Sequence, residues 1–158
     1  MNENYAFALA MGTGFVAGLR SMTAPAAVSW GAHLGRLSLR NSVLESMGAS
    51  AAVAIFSVLA AAEFVVDLLP QAPNRTEPAS LLVRILAGWL TGACVCVSAG
   101  HSAVAGGVLG AIGGVIGAFA GFHARTRLVS GLKVPGAVIA IPEDLVAIGL
   151  GYLLVFRG

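Results

Sequence analysis

Glu63 and Asp67 stand four residues apart at the end of a run, Ala49 to Ala62, in which only Ser50 and Ser57 are polar. On a helix that spacing stacks the two carboxylates on one face, about 6 Å apart along the axis. Away from water such a pair repels and needs a proton or a cation between its members. A second acidic pair, Glu143 and Asp144, follows Pro142; adjacent residues diverge by about 100° around a helix and can address two different partners. The matching cations are Arg20, set in GLRSMTAP beside Ser21 and Thr23, and Arg84. This set could bind or relay protons, cations or a small polar solute, with the arginines holding the acids in register or meeting an anionic group. Two plainer accounts stand beside that one. Asp67 can sit at headgroup level with Glu63 snorkelling toward it, and Glu143 and Asp144 can occupy the first turn of a helix that starts at Pro142, where the dipole favours negative charge.

Other chemistries lack their residues. The chain contains no zinc signature, P-loop, G-x-S-x-G elbow or cysteine nucleophile with a suitable partner, so neither a metal nor an organic cofactor is expected and enzyme chemistry has no recognisable core. Cys94 and Cys96 point about 200° apart on a helix, which suits packing rather than metal binding or pairing. His33, His101 and His123 are isolated near predicted element ends and read as solvated. Arg125, Arg127 and Lys133 read as interfacial side chains meeting lipid phosphates.

What must position these groups is a membrane protein. Of 158 residues, 58% are hydrophobic and 10% charged, with a mean hydropathy of +0.89; a soluble domain needs about a quarter of its residues charged. The weakly basic balance is dispersed, with no basic run or aromatic-interleaved patch, so nucleic acid is not an expected partner and the lipid bilayer is. The chain opens MNEN rather than with a basic region, and the apolar stretch after it reads as retained rather than as a cleaved signal.

A single all-α membrane domain over residues 1–158 is expected, a polytopic bundle of about five spans. The spans are Tyr5 to Leu19 continuing raggedly toward Trp30, Gly48 to Leu69, Ala79 to Ala99, Ala103 to Phe122, and Val134 to Phe156. Gly31 to Met47, with Arg36, Arg40, Asn41 and Glu45, is a polar loop or interfacial helix. Thr76-Glu77-Pro78 reads as a helix start with Thr76 as cap. Breaks are expected near Arg20 to Pro25 and at Pro142, and backbone freed at membrane depth must be satisfied by protein or a water-lined cavity. The two broken regions, Gly14 to Val28 and Ala118 to Val138, share an aromatic-small-Gly approach, a basic residue, hydroxyls and a proline. That is the kind of faint symmetry that inverted-repeat transporters display, and also what Gly/Ala-rich helices show by chance.

In the fourth span Gly106, Gly110 and Gly114 form one row and Gly113, Gly117 and Gly121 another, a pattern for close helix packing, within the chain or in a homo-oligomer. Basic residues fall nearly evenly on the two sides of a five-span chain, with Arg20, Arg36, Arg40 and Arg157 opposite Arg75, Arg84, Arg125, Arg127 and Lys133. The positive-inside rule therefore does not orient it.

GLRSMTAP, EFVVDLLP, VRILAG and IPEDLVAIGLGYLL, in that order, resemble DUF4126, a family of small bacterial integral membrane proteins of unknown function. The resemblance covers most of the chain and implies residence in the bacterial inner membrane. It carries over Arg20, Ser21, Glu63, Asp67, Pro70, Arg84, Glu143 and Asp144; where the family commonly sets a basic residue after the first acidic pair, this chain has Leu68. Three functions follow as expectations. The first is a transporter or channel-like protein moving a small solute or ion through an intramembrane polar site. The second is a structural or accessory protein whose charged cluster fixes helix packing, and the third a membrane enzyme acting on lipid headgroups through Asp67, Arg75 and Glu77.

Overall fold

The computed structural model describes residues 2–67, 77–132 and 136–157. Among them the chain is helical without strands: α1 (Glu3–Leu19), α2 (Thr23–His33), α3 (Ser50–Asp67), α4 (Pro78–Ser98), α5 (Ala103–Leu132) and α6 (Gly136–Phe156), with a 3-10 turn at Glu45–Gly48. Four of these, α3 to α6, are long and apolar enough to cross a membrane. Apolar side chains such as Val58, Leu86, Val104, Leu145 and Ile148 are exposed on the outside of the bundle, as expected where lipid is the solvent.

The count of five spans gives way to a different arrangement at the N-terminus. The first span does not run on raggedly toward Trp30; it ends at Leu19 and the chain reverses. Gly12 lies against Leu154, Gly151 against Val16, and Arg20 against Asp144, so α1 runs antiparallel to α6. Gly151 also meets Ala27 and Gly31 meets Val155, so α2 runs parallel to α6 and antiparallel to α1. The α1–α2 hairpin is short, since α2 has 11 residues and covers only about 16 Å. Its tip lies beside Asp144, about 12 Å in from the Gly136 end of a helix about 31 Å long. Both Glu3 and Phe156 therefore sit at the opposite end from the tip. Arg20 is at the same end as Arg84 and Arg125, not across the bundle from them as a five-span chain requires.

The glycine rows of α5 build the core that holds this hairpin. A Cβ on Gly110 would run into the carbonyl of Gly88, and one on Gly106 into that of Gly92, so α4 and α5 meet backbone to backbone. On the other side, a Cβ on Gly113 would meet the carbonyl of Met11, and one on Gly117 that of Phe15. The expected close packing is thus spent on α1 and α4 of the same chain.

Pro142 does not break α6, which continues through it. Proline forfeits the hydrogen bond to the carbonyl four residues back but does not force a helix to end where packing holds it, and Glu143 and Asp144 consequently stand well inside the helix rather than in a first turn. Pro25 is the third residue of α2, while the break itself falls at Arg20 to Met22. Helix α4 begins at Pro78, as expected, with Glu77 in the cap position; Thr76, Pro70, Arg75 and Lys133 lie outside the described residues. Between α2 and α3 the polar segment packs back on the bundle through buried Leu39 and Met47, and His33 Nδ1 contacts the Gly48 carbonyl at 2.9 Å. His101, rather than being solvated, has a buried Nε2 and lies tilted against Phe7.

Candidate functional site

Reversing a chain inside a membrane frees the last carbonyls of one helix and the first amides of the next. Here the last two carbonyls of α1 and the two amides just ahead of α2 are met by charged side chains from other helices. At the C-terminal end of α1, Arg84 Nη1 donates to the carbonyls of Gly18 at 2.9 Å and Leu19 at 3.1 Å, while its Nε donates to Ser80 Oγ at 3.3 Å. Glu63 serves the start of α2: its Oε1 accepts from the Ser21 amide at 2.9 Å and hydroxyl at 2.7 Å, and its Oε2 accepts from the Met22 amide at 2.9 Å. A cation thus meets the negative end of one helix dipole and an anion the positive end of the next. The two side chains also face each other, Arg84 Nη2 lying 3.9 Å from Glu63 Oε1.

A second group of charges surrounds Arg20, whose side chain is 2% exposed. Its Nη2 forms an ion pair with Asp144 Oδ1 and lies 3.5 Å from Asp67 Oδ2, and its guanidinium lies over the Phe64 ring, 5.6 Å from the centroid. Arg125, expected to snorkel, instead reaches Asp67 Oδ2 at 3.9 Å from α5. Both acids crowd onto a single nitrogen of Arg20. Among the described residues, its Nε and Nη1 have no hydrogen-bond partner, and neither does Asp144 Oδ2. For a buried guanidinium that is three N–H groups without acceptors, a costly condition in a low-dielectric interior.

Those groups end a groove of about 580 Å³ between α2, α3 and α6. Its walls include Thr23, Trp30, Ser57, Phe64 and Tyr152, and the Trp30 indole donates to Ser57 Oγ at 3.1 Å across it. On the far side of α6, Glu143 and Arg125 border another groove, of about 600 Å³, against α1 and α5. Adjacency has the expected consequence: Asp144 and Glu143 address opposite sides of their helix.

The residues singled out by type thus gather at the hairpin tip and divide in two. Glu63 and Arg84 satisfy backbone, with the Ser21 hydroxyl donating to Glu63, whereas Arg20, Asp67, Asp144 and Thr23 belong to the groove's closed end or its support. The aromatic wall and the Arg125 contact had no signal in the sequence, because Trp30, Tyr152 and Arg125 are ordinary at the ends of membrane helices. No group of three or more His, Cys, Asp or Glu side chains among the described residues is placed to hold a metal.

A polytopic helical membrane bundle with a buried charged cluster at the tip of an internal hairpin is the class these observations define. Residues 7–157 match the family model described as a domain of unknown function, DUF4126, and the chain belongs to that family. No curated protein and no solved structure matches it.

Proposed function

We propose that the protein is a transporter or channel-like protein that moves a small solute through the site at the hairpin tip, with Arg20 and Asp144 as its binding pair. One observation carries this reading: a buried arginine and aspartate keep unused hydrogen-bonding capacity at the end of an open groove, where an inert packing cluster would be saturated. Charged groups at membrane depth are expensive, and groups that are both expensive and incompletely partnered suit an exchangeable ligand. Asp67 and Arg125 tune the pair from the side, Thr23 offers a hydroxyl to the ligand, and residence in a bacterial inner membrane follows from the reading. Because the glycine rows of α5 are filled by α1 and α4, a second copy would have to dock elsewhere.

Proteoliposomes test this with three probes: a pH dye for protons, a potassium dye, and light scattering for glycerol. Flux of at least one above protein-free vesicles, reduced tenfold or more by Asp144→Asn, is expected. Equal flux with and without protein for all three would leave the packing role as the better account, which the saturated Glu63–Arg84 pair favours for its own half of the cluster.

A further inference from the structure

The groove's closed end specifies a ligand more narrowly than "small solute". Its unused polar capacity is of two kinds, the donors Nε and Nη1 of Arg20 and the acceptor Oδ2 of Asp144. Charge, by contrast, is paired there among the described residues, Arg20 and Arg125 against Asp67 and Asp144. An added anion would come to rest beside two carboxylates, and an added cation beside Arg20; in low dielectric either is opposed. An uncharged head that accepts from Arg20 and donates to Asp144 meets neither objection.

The rest of the groove fixes what is attached to that head. From Asp144 to Phe156 the lining of α6 extends over thirteen residues, about 18 Å, and the facing walls are Ala26, Ala27, Ala60 and Phe64. Small residues on α2 and α3 keep the slot open, and its charged side chains, Arg20 and Asp144, are both at one end; farther along, the Trp30 indole is already bonded to Ser57. Its volume of about 580 Å³ falls within the range of about 300–1,000 Å³ typical of small-molecule sites.

We infer that the groove between α2, α3 and α6 binds an uncharged single-chain amphiphile, its hydroxyl- or carbonyl-bearing head on Arg20 and Asp144 and its apolar chain along Ala60 and Trp30. The inference rests on the reading of this site as the place where solute binds, but it is tested by equilibrium binding rather than by flux. Flux without this selectivity would refute the inference alone, and binding without flux would refute the transport reading alone.

Trp30 lines the groove and the chain has one other tryptophan, Trp89, so Trp89→Phe leaves a single reporter in the chain. In nanodiscs of unbrominated lipid, four probes sharing one dibrominated 18-carbon tail are titrated: a glycerol monoester, a sulfate, a trimethylammonium and the headless alkane. Saturable quenching by the monoester is expected, with the other three at least tenfold weaker. Arg20→Lys, which keeps the charge but loses donors, should weaken the monoester about tenfold. Ala60→Phe, which fills the slot without touching Arg20, should abolish saturation and stands in should the lysine variant fail to fold. Tighter binding of the sulfate would make this an anion site, and of the trimethylammonium a cation site. Equal binding of the alkane would make it a lipid crevice, and quenching that never saturates would mean no site; each of these outcomes overturns the inference.

Discussion

Glu63 with Arg84 and Arg20 with Asp144 are both acid–arginine pairs, drawn from different helices and gathered at one hairpin tip, yet they are employed differently. The Glu63 carboxylate accepts three hydrogen bonds from Ser21 and Met22 in the turn leading into α2, and Arg84 gives its Nη1 to the end of α1. The Arg20 guanidinium spends one nitrogen on two acids and leaves Nε and Nη1 without a partner among the described residues. Identical side-chain chemistry is structural where backbone consumes it and available where backbone does not. A buried charge in a membrane therefore has to be read by what remains after its hydrogen bonds are assigned, not by its depth alone.

The sharpest way to break this contrast is to remove Glu63. Glu63→Ala strands two backbone amides and a hydroxyl and removes the carboxylate facing Arg84, a loss of about 3–5 kcal/mol by the behaviour of buried pairs that lose one member. Thermal unfolding in detergent should show it as the largest destabilisation among single substitutions at the tip. Glu63→Gln, which retains an acceptor oxygen, should recover more than half of it. If Asp144→Ala proved as damaging as Glu63→Ala, the two pairs would be equivalent and the contrast would fail.

A smaller loss is expected at the helix contacts behind the hairpin. Gly110 faces the carbonyl of Gly88, so Gly110→Ala must push α4 from α5, an overpacking cost of about 1–3 kcal/mol. Measured beside Glu63→Ala, it separates two sources of support for the tip, backbone caps and glycine packing. A larger loss at Gly110 would place the main support in packing.

On the other side of the comparison the stability effect should be slight and the functional one large. Asp144→Asn leaves Asp67 3.5 Å from Arg20 as its remaining counterion, so a loss of about 1–2 kcal/mol is expected, comparable to that of one charged hydrogen bond. The same substitution should reduce flux tenfold or more. Destabilisation without any change in flux would return Asp144 to the structural group.

Much of this was legible in the residues. The acids Glu63, Asp67 and Asp144 and the arginines Arg20 and Arg84 stand out because an apolar chain carries so few charges, and five of them do converge. The break after Leu19 was legible too, from Arg20 and Ser21 within an apolar run. Its direction was not, because nothing in GLRSMTAP distinguishes a ragged continuation from a reversal. The partner that captures the freed amides is Glu63, over forty residues away, and nothing local to the break reports it. Pro142 misled for the complementary reason. A proline costs a helix one hydrogen bond, and whether the helix ends there depends on tertiary packing that local sequence does not report. The glycine rows on α5 announced close contact, but α1 and α4 were not identifiable as the neighbours from α5 alone.

The smallest expected effect is on α6, the helix that carries Asp144 and has a groove on each side. A Cβ at Gly149 would meet nothing within 4 Å, and its backbone is ordinary helix. Alanine there removes unfolded-state freedom without meeting a neighbour, so Gly149→Ala should be neutral or stabilising by up to about 1 kcal/mol. Because Gly110→Ala makes the same chemical change where backbones touch, the difference between the two isolates contact from helix propensity. Should Gly149→Ala destabilise by more than about 1 kcal/mol, this stretch of α6 would be packed against a surface outside the chain.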